Sequence, residues 1–260
     1  MTSLPQTTDK KLGLVIDLDI CVGCQACVTS CKEWNTGGYS APLSDHDPYG
    51  DDPSGAWLNR VHTYETPERT VHFPRSCLHC EEPACVTVCP TGASFKRAAD
   101  GIVLVNPDTC IGCKLCSWAC PYGAREYDYD HGVMKKCTLC IDRIYNETIP
   151  EEDRVPACVR ACPTGARAFG DFSDPDSAVS KAVDERGGFD LLESFGYKPV
   201  NKYLAPREGP APQIQHHQPG HVAANKKGED VAPLRRESDT NQANGTLDKL
   251  FAWADRALTR

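Results

Sequence analysis

The chain has 260 residues, of which 40% are hydrophobic, 20 are Gly, 20 are Pro and 16 are Cys. Its formal charge of −8 argues against a general nucleic-acid role, which needs a basic face. No run approaches the ~18 apolar residues of a membrane span, and so loop-rich a composition needs something besides apolar burial to hold its fold.

The N-terminal stretch M-T-S-L-P-Q-T-T-D-K-K has no apolar core and no twin arginine. No export signal is therefore expected, and a reducing compartment favours metal-binding cysteines over disulfides.

The first cysteine group is Cys21, Cys24, Cys27 and Cys31. Its last cysteine precedes Lys32, whereas the later groups turn on Cys89-Pro90, Cys120-Pro121 and Cys162-Pro163. A proline disfavours α geometry at the residue before it. Without one, a helix through V-T-S-C-K-E-W-N is expected to run past Cys31 as far as Gly37-Gly38. A Gly-, Pro- and Asp-rich insertion follows over residues 36–60.

The second group is Cys77, Cys80, Cys85 and Cys89, then P-T-G-A-S-F-K-R-A-A-D-G-I-V-L-V, read as strand, turn at Asp100-Gly101, strand. The third is Cys110, Cys113, Cys116 and Cys120, followed by strand, turn at His131-Gly132, short strand. The fourth is split, with Cys137 and Cys140 before a long spacer and Cys158 and Cys162 after it; P-T-G-A-R-A-F-G then opens another strand.

Groups one and three match the bacterial ferredoxin run, C-x2-C-x2-C-x3-C, in which the distal cysteine ligates the other cluster of a pair. A tight loop wraps one cube with three sulfurs, and the fourth sulfur, a helical turn on, points away. Zinc is arguable only for Cys137 and Cys140 with Cys158 and Cys162, since structural zinc takes paired C-x2-C units. A disulfide framework needs wider spacing and an oxidising compartment. Four complete ligand sets point to iron–sulfur clusters.

Other residues carry two readings each. Lys32, Lys136 and Arg160 adjoin cysteines and either tune an anionic cluster or are ordinary solvated side chains. His79, between Cys77 and Cys80, either hydrogen-bonds a cluster sulfur and shifts its potential on protonation or is a packed loop histidine. From Ala205 to Gly245 the chain is polar and Pro-rich, a flexible tract. Leu247, Leu250, Phe251, Ala254, Ala257 and Leu258 then fall at helical spacing, so an amphipathic helix over 246–259 is expected to dock on another subunit.

Over roughly residues 10–204, all sixteen cysteines included, the chain resembles the four-cluster iron–sulfur subunits of complex molybdenum oxidoreductases such as the DMSO, polysulfide and nitrate reductases. Segments between the motifs, among them C-K-E-W-N-T-G-G-Y-S-A-P-L, G-A-W-L-N-R-V-H-T-Y-E and Y-K-P-V-N-K-Y-L, look like the iron–sulfur subunit of membrane-bound sulfite dehydrogenase (quinone).

The resemblance implies four 4Fe–4S clusters, held by Cys21, Cys24, Cys27 and Cys162; by Cys137, Cys140, Cys158 and Cys31; by Cys77, Cys80, Cys85 and Cys120; and by Cys110, Cys113, Cys116 and Cys89. It implies an α+β, loop-rich fold of two bacterial-ferredoxin-like modules in pseudo-twofold arrangement with an extended C-terminal tail. Residues 10–60 with 132–204 would form the first module, 61–131 the second and 205–260 the tail. The implied role is an electron wire with no catalytic residue of its own, on the cytoplasmic face of the membrane. Its partners would be a molybdopterin catalytic subunit holding the molybdenum bis-pterin cofactor and an integral-membrane quinone-binding subunit. Two other readings stay open: a quinol-dependent polysulfide, tetrathionate or DMSO reductase, and a free-standing soluble polyferredoxin.

Overall fold

A computed structural model describes residues 2–36, 56–67 and 69–207. Most of the insertion and of the tail, with the helix expected over 246–259, lies outside the described residues.

Strand β1 (Leu12–Asp17) is followed by helix α1 (Ala26–Thr36), and a hairpin of β2 (Asn59–Glu65) and β3 (Thr70–Ser76) follows. Short helices α2 (Ala84–Thr87) and α3 (Leu115–Trp118) alternate with the hairpins β4 (Ser94–Lys96)–β5 (Val103–Val105) and β6 (Glu126–Asp128)–β7 (Val133–Lys135). Helices α4 (Ile141–Ile144) and α5 (Ala157–Arg160) precede β8 (Arg167–Asp171), α6 (Ala178–Arg186) and β9 (Lys202–Leu204). The chain is thus α+β and loop-rich, with small antiparallel hairpins.

Proline placement explains the helix lengths. Helices α2, α3 and α5 each have four residues and stop before a Cys-Pro step, whereas α1, which meets Lys32 at that point, continues for 11 residues. The strands expected after Cys89, Cys120 and Cys162 are β4–β5, β6–β7 and β8.

Segments distant in sequence are tied together by a three-stranded sheet ordered β8-β1-β9, in which β1 runs antiparallel to β8 and parallel to β9. Leu14, Ile16 and Tyr203 from this sheet are fully buried in one core with Val61, Val71 and Phe73 of the β2–β3 hairpin. Cys27, Cys77, Cys80, Cys137 and Cys158 belong to the same core, so the cysteine loops pack as part of it.

Helix α6 covers the sheet through the fully buried Val179. Its N-cap is Ser177, whose side chain accepts a hydrogen bond from the Ser180 amide at 3.2 Å. Ser177→Ala should cost about 1 kcal/mol. A lowered thermal midpoint with unchanged iron content is the expected reading.

Candidate iron–sulfur centres

The four C-x2-C loops share one backbone device. The residue before the second cysteine has positive φ in each: Gly23 at 67°, His79 at 48°, Gly112 at 66° and Leu139 at 53°. A left-handed residue there turns the chain sharply enough to aim two sulfurs and the intervening amides into one space. Glycine takes this conformation without strain, whereas other L-residues are held in it by their surroundings.

The thiols gather in four sets. Cys31 sits in the field of Cys137, Cys158 and Cys140, and Cys80 in that of Cys77, Cys85 and Cys120. Cys116 faces Cys110 and Cys89, as well as Cys85 of the neighbouring set. Cys21, Cys24, Cys27 and Cys162 line one cavity, closed by Val61, Pro74 and Ala166.

The sets also follow a spatial order. Cys158 stands near Cys27, Cys137 near Cys77, and Cys116 near Cys85. Groups distant in sequence therefore form a row whose two middle sets are the more buried. Cys24 and Cys113, at opposite ends of the row, are the exposed cysteines.

The donor chemistry fits iron–sulfur clusters. Burial lifts Cys137 to about 12 and Cys120 and Cys158 to about 11, so these thiols stay protonated near neutral pH unless a metal takes the proton's place. Cys89 and Cys162 go the other way. Burial is the largest single influence there too, but the hydrogen bonds together outweigh it, from Ser94, Thr91 and Gly92 at Cys89 and from Thr164, Ala166 and Arg167 at Cys162.

Further donors already point at sulfur, the kind of outer contact that orients ligands and tunes a cluster. The amides of Ser94, Met134, Ala157 and Leu139 lie 3.3 to 3.5 Å from the sulfurs of Cys89, Cys110, Cys140 and Cys137. Asn35 Nδ2 reaches the sulfurs of both Cys31 and Cys140, at 3.6 and 3.5 Å, linking α1 to the fourth group. Among the described residues no three His, Cys, Asp or Glu side chains close up as a single-ion site.

Of the non-cysteine candidates, Lys136 is buried and its Nζ donates to the Cys137 carbonyl at 2.5 Å. Lys32 is also buried, donates to the Ala56 carbonyl and lies 5.1 Å from the centre of the Trp57 ring. Arg160 is largely exposed and pairs with Asp153 at 2.7 Å. His79 is fully buried, and its Nδ1 accepts from the Val103 amide at 3.2 Å rather than facing a sulfur. Burial, then the charges of Lys136 and Arg125, holds its pKa well below the ordinary imidazole value, so the ring is neutral near pH 7.

Two buried arginines escaped the sequence reading. Arg125 Nη2 donates to Cys85 Sγ at 2.7 Å and to Ser94 Oγ at 2.9 Å, while Arg167 Nη1 lies 3.7 Å from Cys158 Sγ. Each occupies the same place in a repeat, C-P-Y-G-A-R and C-P-T-G-A-R. That repetition is the signal that could have found them.

The loop geometry makes a test at Gly112. A Cβ there would come within 2.4 Å of the Gly132 carbonyl oxygen, whereas at Gly165, with similar φ, nothing lies within 4 Å. Gly112→Ala should therefore displace the third cysteine loop and lower the iron content. Gly165→Ala should cost only the ~1–2 kcal/mol of a left-handed L-residue and keep its iron.

Loops, hairpins and thiol sets together define a ferredoxin-like iron–sulfur protein. Two family models, each described as a 4Fe-4S dicluster domain, match residues 20–93 and 69–172. A sulfite dehydrogenase subunit of Allochromatium vinosum is 62% identical over 202 residues, covering 76% of this chain and 84% of the relative. A putative dimethyl sulfoxide reductase iron-sulfur subunit of Halobacterium salinarum is 37% identical, over 74% of this chain and 78% of the relative. A tetrathionate reductase subunit of Salmonella typhimurium is 33% identical, over 78% of this chain and 71% of the relative. The chain belongs to the iron–sulfur electron-transfer subunits of the complex iron–sulfur molybdoenzymes and is closely related to the sulfite dehydrogenase subunit.

Proposed function

We propose that this chain is the electron wire of a sulfite-oxidising, quinone-reducing complex. A molybdopterin subunit would oxidise sulfite with water to sulfate, releasing two electrons and two protons. The electrons would leave one at a time through this chain to an integral-membrane quinone-binding subunit. The chain's own residues hold, insulate and tune four 4Fe–4S clusters and perform no acid, base or nucleophilic step. The observation that carries the reading is the row of four thiol sets in a chain 62% identical to a sulfite dehydrogenase subunit.

The ligand sets follow the resemblance: Cys21, Cys24, Cys27 and Cys162; then Cys31, Cys137, Cys140 and Cys158; then Cys77, Cys80, Cys85 and Cys120; then Cys110, Cys113, Cys116 and Cys89. Their neighbourhoods support this assignment. The first two sets would form one pseudo-twofold module, residues 10–60 with 132–204, and the last two the other, residues 61–131. The exposed Cys24 end would face the molybdopterin subunit and the exposed Cys113 end the membrane subunit. Around Cys113 lie Ile111, Leu115 and Trp118, all exposed, an apolar rim suited to a partner surface.

Among the described residues no helix is long and apolar enough to cross a membrane. By the resemblance, attachment to the cytoplasmic face of the membrane would come through the partner.

Purification of the native complex, with metal analysis and an assay of sulfite-driven quinone reduction, tests the reading. Molybdenum together with sulfite-dependent reduction is expected. A complex that oxidises quinol with tetrathionate or DMSO and ignores sulfite would overturn the direction and the substrate. A chain that purifies alone with full iron would make it a diffusing carrier.

A further inference from the structure

Burying a cation is costly unless an opposite charge accompanies it. Arg167, Lys136 and Arg125 are each no more than 4% exposed, yet among the described residues none of them pairs with a carboxylate. The groups near all three that would turn negative, as thiolates holding a cluster, are cysteines, and those cysteines belong to different sets. Arg167 Nη1 lies 3.7 Å from Cys158 Sγ, and its neighbours include Cys31 of that set and Cys27 of the next. Lys136 Nζ sits on the Cys137 carbonyl, and its neighbours include Cys77 and Cys85 of the adjoining set. Arg125 Nη2 donates to Cys85 Sγ at 2.7 Å, and its neighbours include Cys77 of that set and Cys116 of the next.

Each cation therefore occupies a different gap in the row. From the ligand assignment proposed above, on which this inference rests, we propose that Arg167, Lys136 and Arg125 are fixed positive spacers. One stands in each of the three gaps between successive clusters, and each raises the reduction potentials of the two clusters it separates.

The chemistry follows from charge. A cube with a 2+ core and four thiolates carries a net charge of about −2, and reduction adds one more. Two such anions side by side repel, so an electron on one disfavours an electron on the next. A cation between them lowers that repulsion and favours the reduced form of both. Each step along the row moves one electron: one cube is oxidised as its neighbour is reduced, and no proton or ligand changes place.

The anchoring suits a fixed charge. Arg167 Nη2 donates to Asn59 Oδ1 at 2.7 Å, and Arg125 Nη2 is held by Ser94 Oγ. Arg167 Nε and Arg125 Nη1 are buried without a hydrogen-bond partner among the described residues, donors left free beside the thiols. Lys136 Nζ is held on the Cys137 carbonyl at 2.5 Å.

The test is an EPR-monitored redox titration of the purified complex carrying Arg167→Gln, Lys136→Gln or Arg125→Gln, with iron and labile sulfide counted in each. Each variant should lower the reduction equilibrium of two of the four clusters by about tenfold, or about 59 mV for one electron. The remaining two should stay where they were, and the affected pair should step along the row from one variant to the next.

A Gln variant with full iron and four unmoved midpoints overturns the proposal, and so does a shift confined to one cluster. If a Gln variant loses iron, its charge-keeping partner decides (Arg167→Lys, Arg125→Lys or Lys136→Arg). Iron and midpoints retained there support a requirement for charge, whereas iron lost there too makes the side chain a packing element and overturns the proposal. Wild-type protein with far fewer than about sixteen iron atoms would instead sink the four-cluster reading beneath it.

Discussion

Replacing Cys31 with serine will remove or degrade one cluster, costing between about one and four of roughly sixteen iron atoms. The cluster affected will not be the one wrapped by the loop in which Cys31 sits. On α1, Cys31 lies one helical turn beyond Cys27, and sequence proximity alone would assign both to the same cube. Its thiol is instead buried among Cys137, Cys158 and Cys140, with Asn35 reaching the sulfurs of both Cys31 and Cys140. Thr138 in turn donates to Asn35 Oδ1 at 3.2 Å, completing a bridge from α1 to the fourth group. Serine offers a harder oxygen and a poor match to iron that prefers thiolate.

Pairs of substitutions make the assignment decisive. Cys31→Ser with Cys158→Ser should lose no more than one cluster, because both sulfurs serve the same cube. Cys31→Ser with Cys27→Ser should lose two. Iron analysis and the EPR signals of the reduced protein read the difference. The opposite outcome, two clusters lost in the first pair and one in the second, would mean that each cysteine run keeps its own cluster.

Much of this was legible because ligand chemistry is local. Sixteen thiols in four runs, three Cys-Pro steps and the strands that follow them can be read from short windows, and so could the long α1 from Lys32 in place of a proline. Pairing across the chain was not legible. Strand β1 finds β8 and β9 more than 150 residues later, and nothing in L-G-L-V-I-D names those partners. The buried arginines were hidden for a different reason. Arg125 and Arg167 look like ordinary surface residues in sequence, and only the tertiary fold removes water from them, whereas Lys136 stands out by adjoining Cys137. His79 attracted attention for its chemistry, whereas its place in the C-x2-C loop is first a backbone matter, a left-handed position that groups one and three fill with glycine. The sequence alone also left the substrate to resemblance, because cysteine runs that hold clusters carry no mark of what a partner oxidises.

The second large effect is expected at Tyr203, far from any cysteine in sequence. Its side chain is fully buried and its ring stacks on Phe73, with centroids 4.7 Å apart. Its hydroxyl donates to the Pro74 carbonyl at 2.9 Å, and Phe189 closes the other side. One residue of β9 thus joins the β8-β1-β9 sheet to the β2–β3 hairpin. Tyr203→Ala should cost about 3–5 kcal/mol, from lost packing and the cavity left behind. Tyr203→Phe keeps the ring and gives up only the hydrogen bond, about 0.5–1.5 kcal/mol. Loss of a cluster is irreversible, so the effect is best measured as a rate, the bleaching of cluster absorbance on heating under anaerobic conditions. If the lost contacts form late in folding, most of the cost appears in the unfolding rate, and the Ala variant bleaches about 10²- to 10³-fold faster. Pro74 and Val61 of the hairpin also close the cavity of Cys21, Cys24, Cys27 and Cys162, so that cluster should be the first to go. An Ala variant that bleaches at the wild-type rate would mean that the clusters, and not this aromatic contact, hold the hairpin against the sheet.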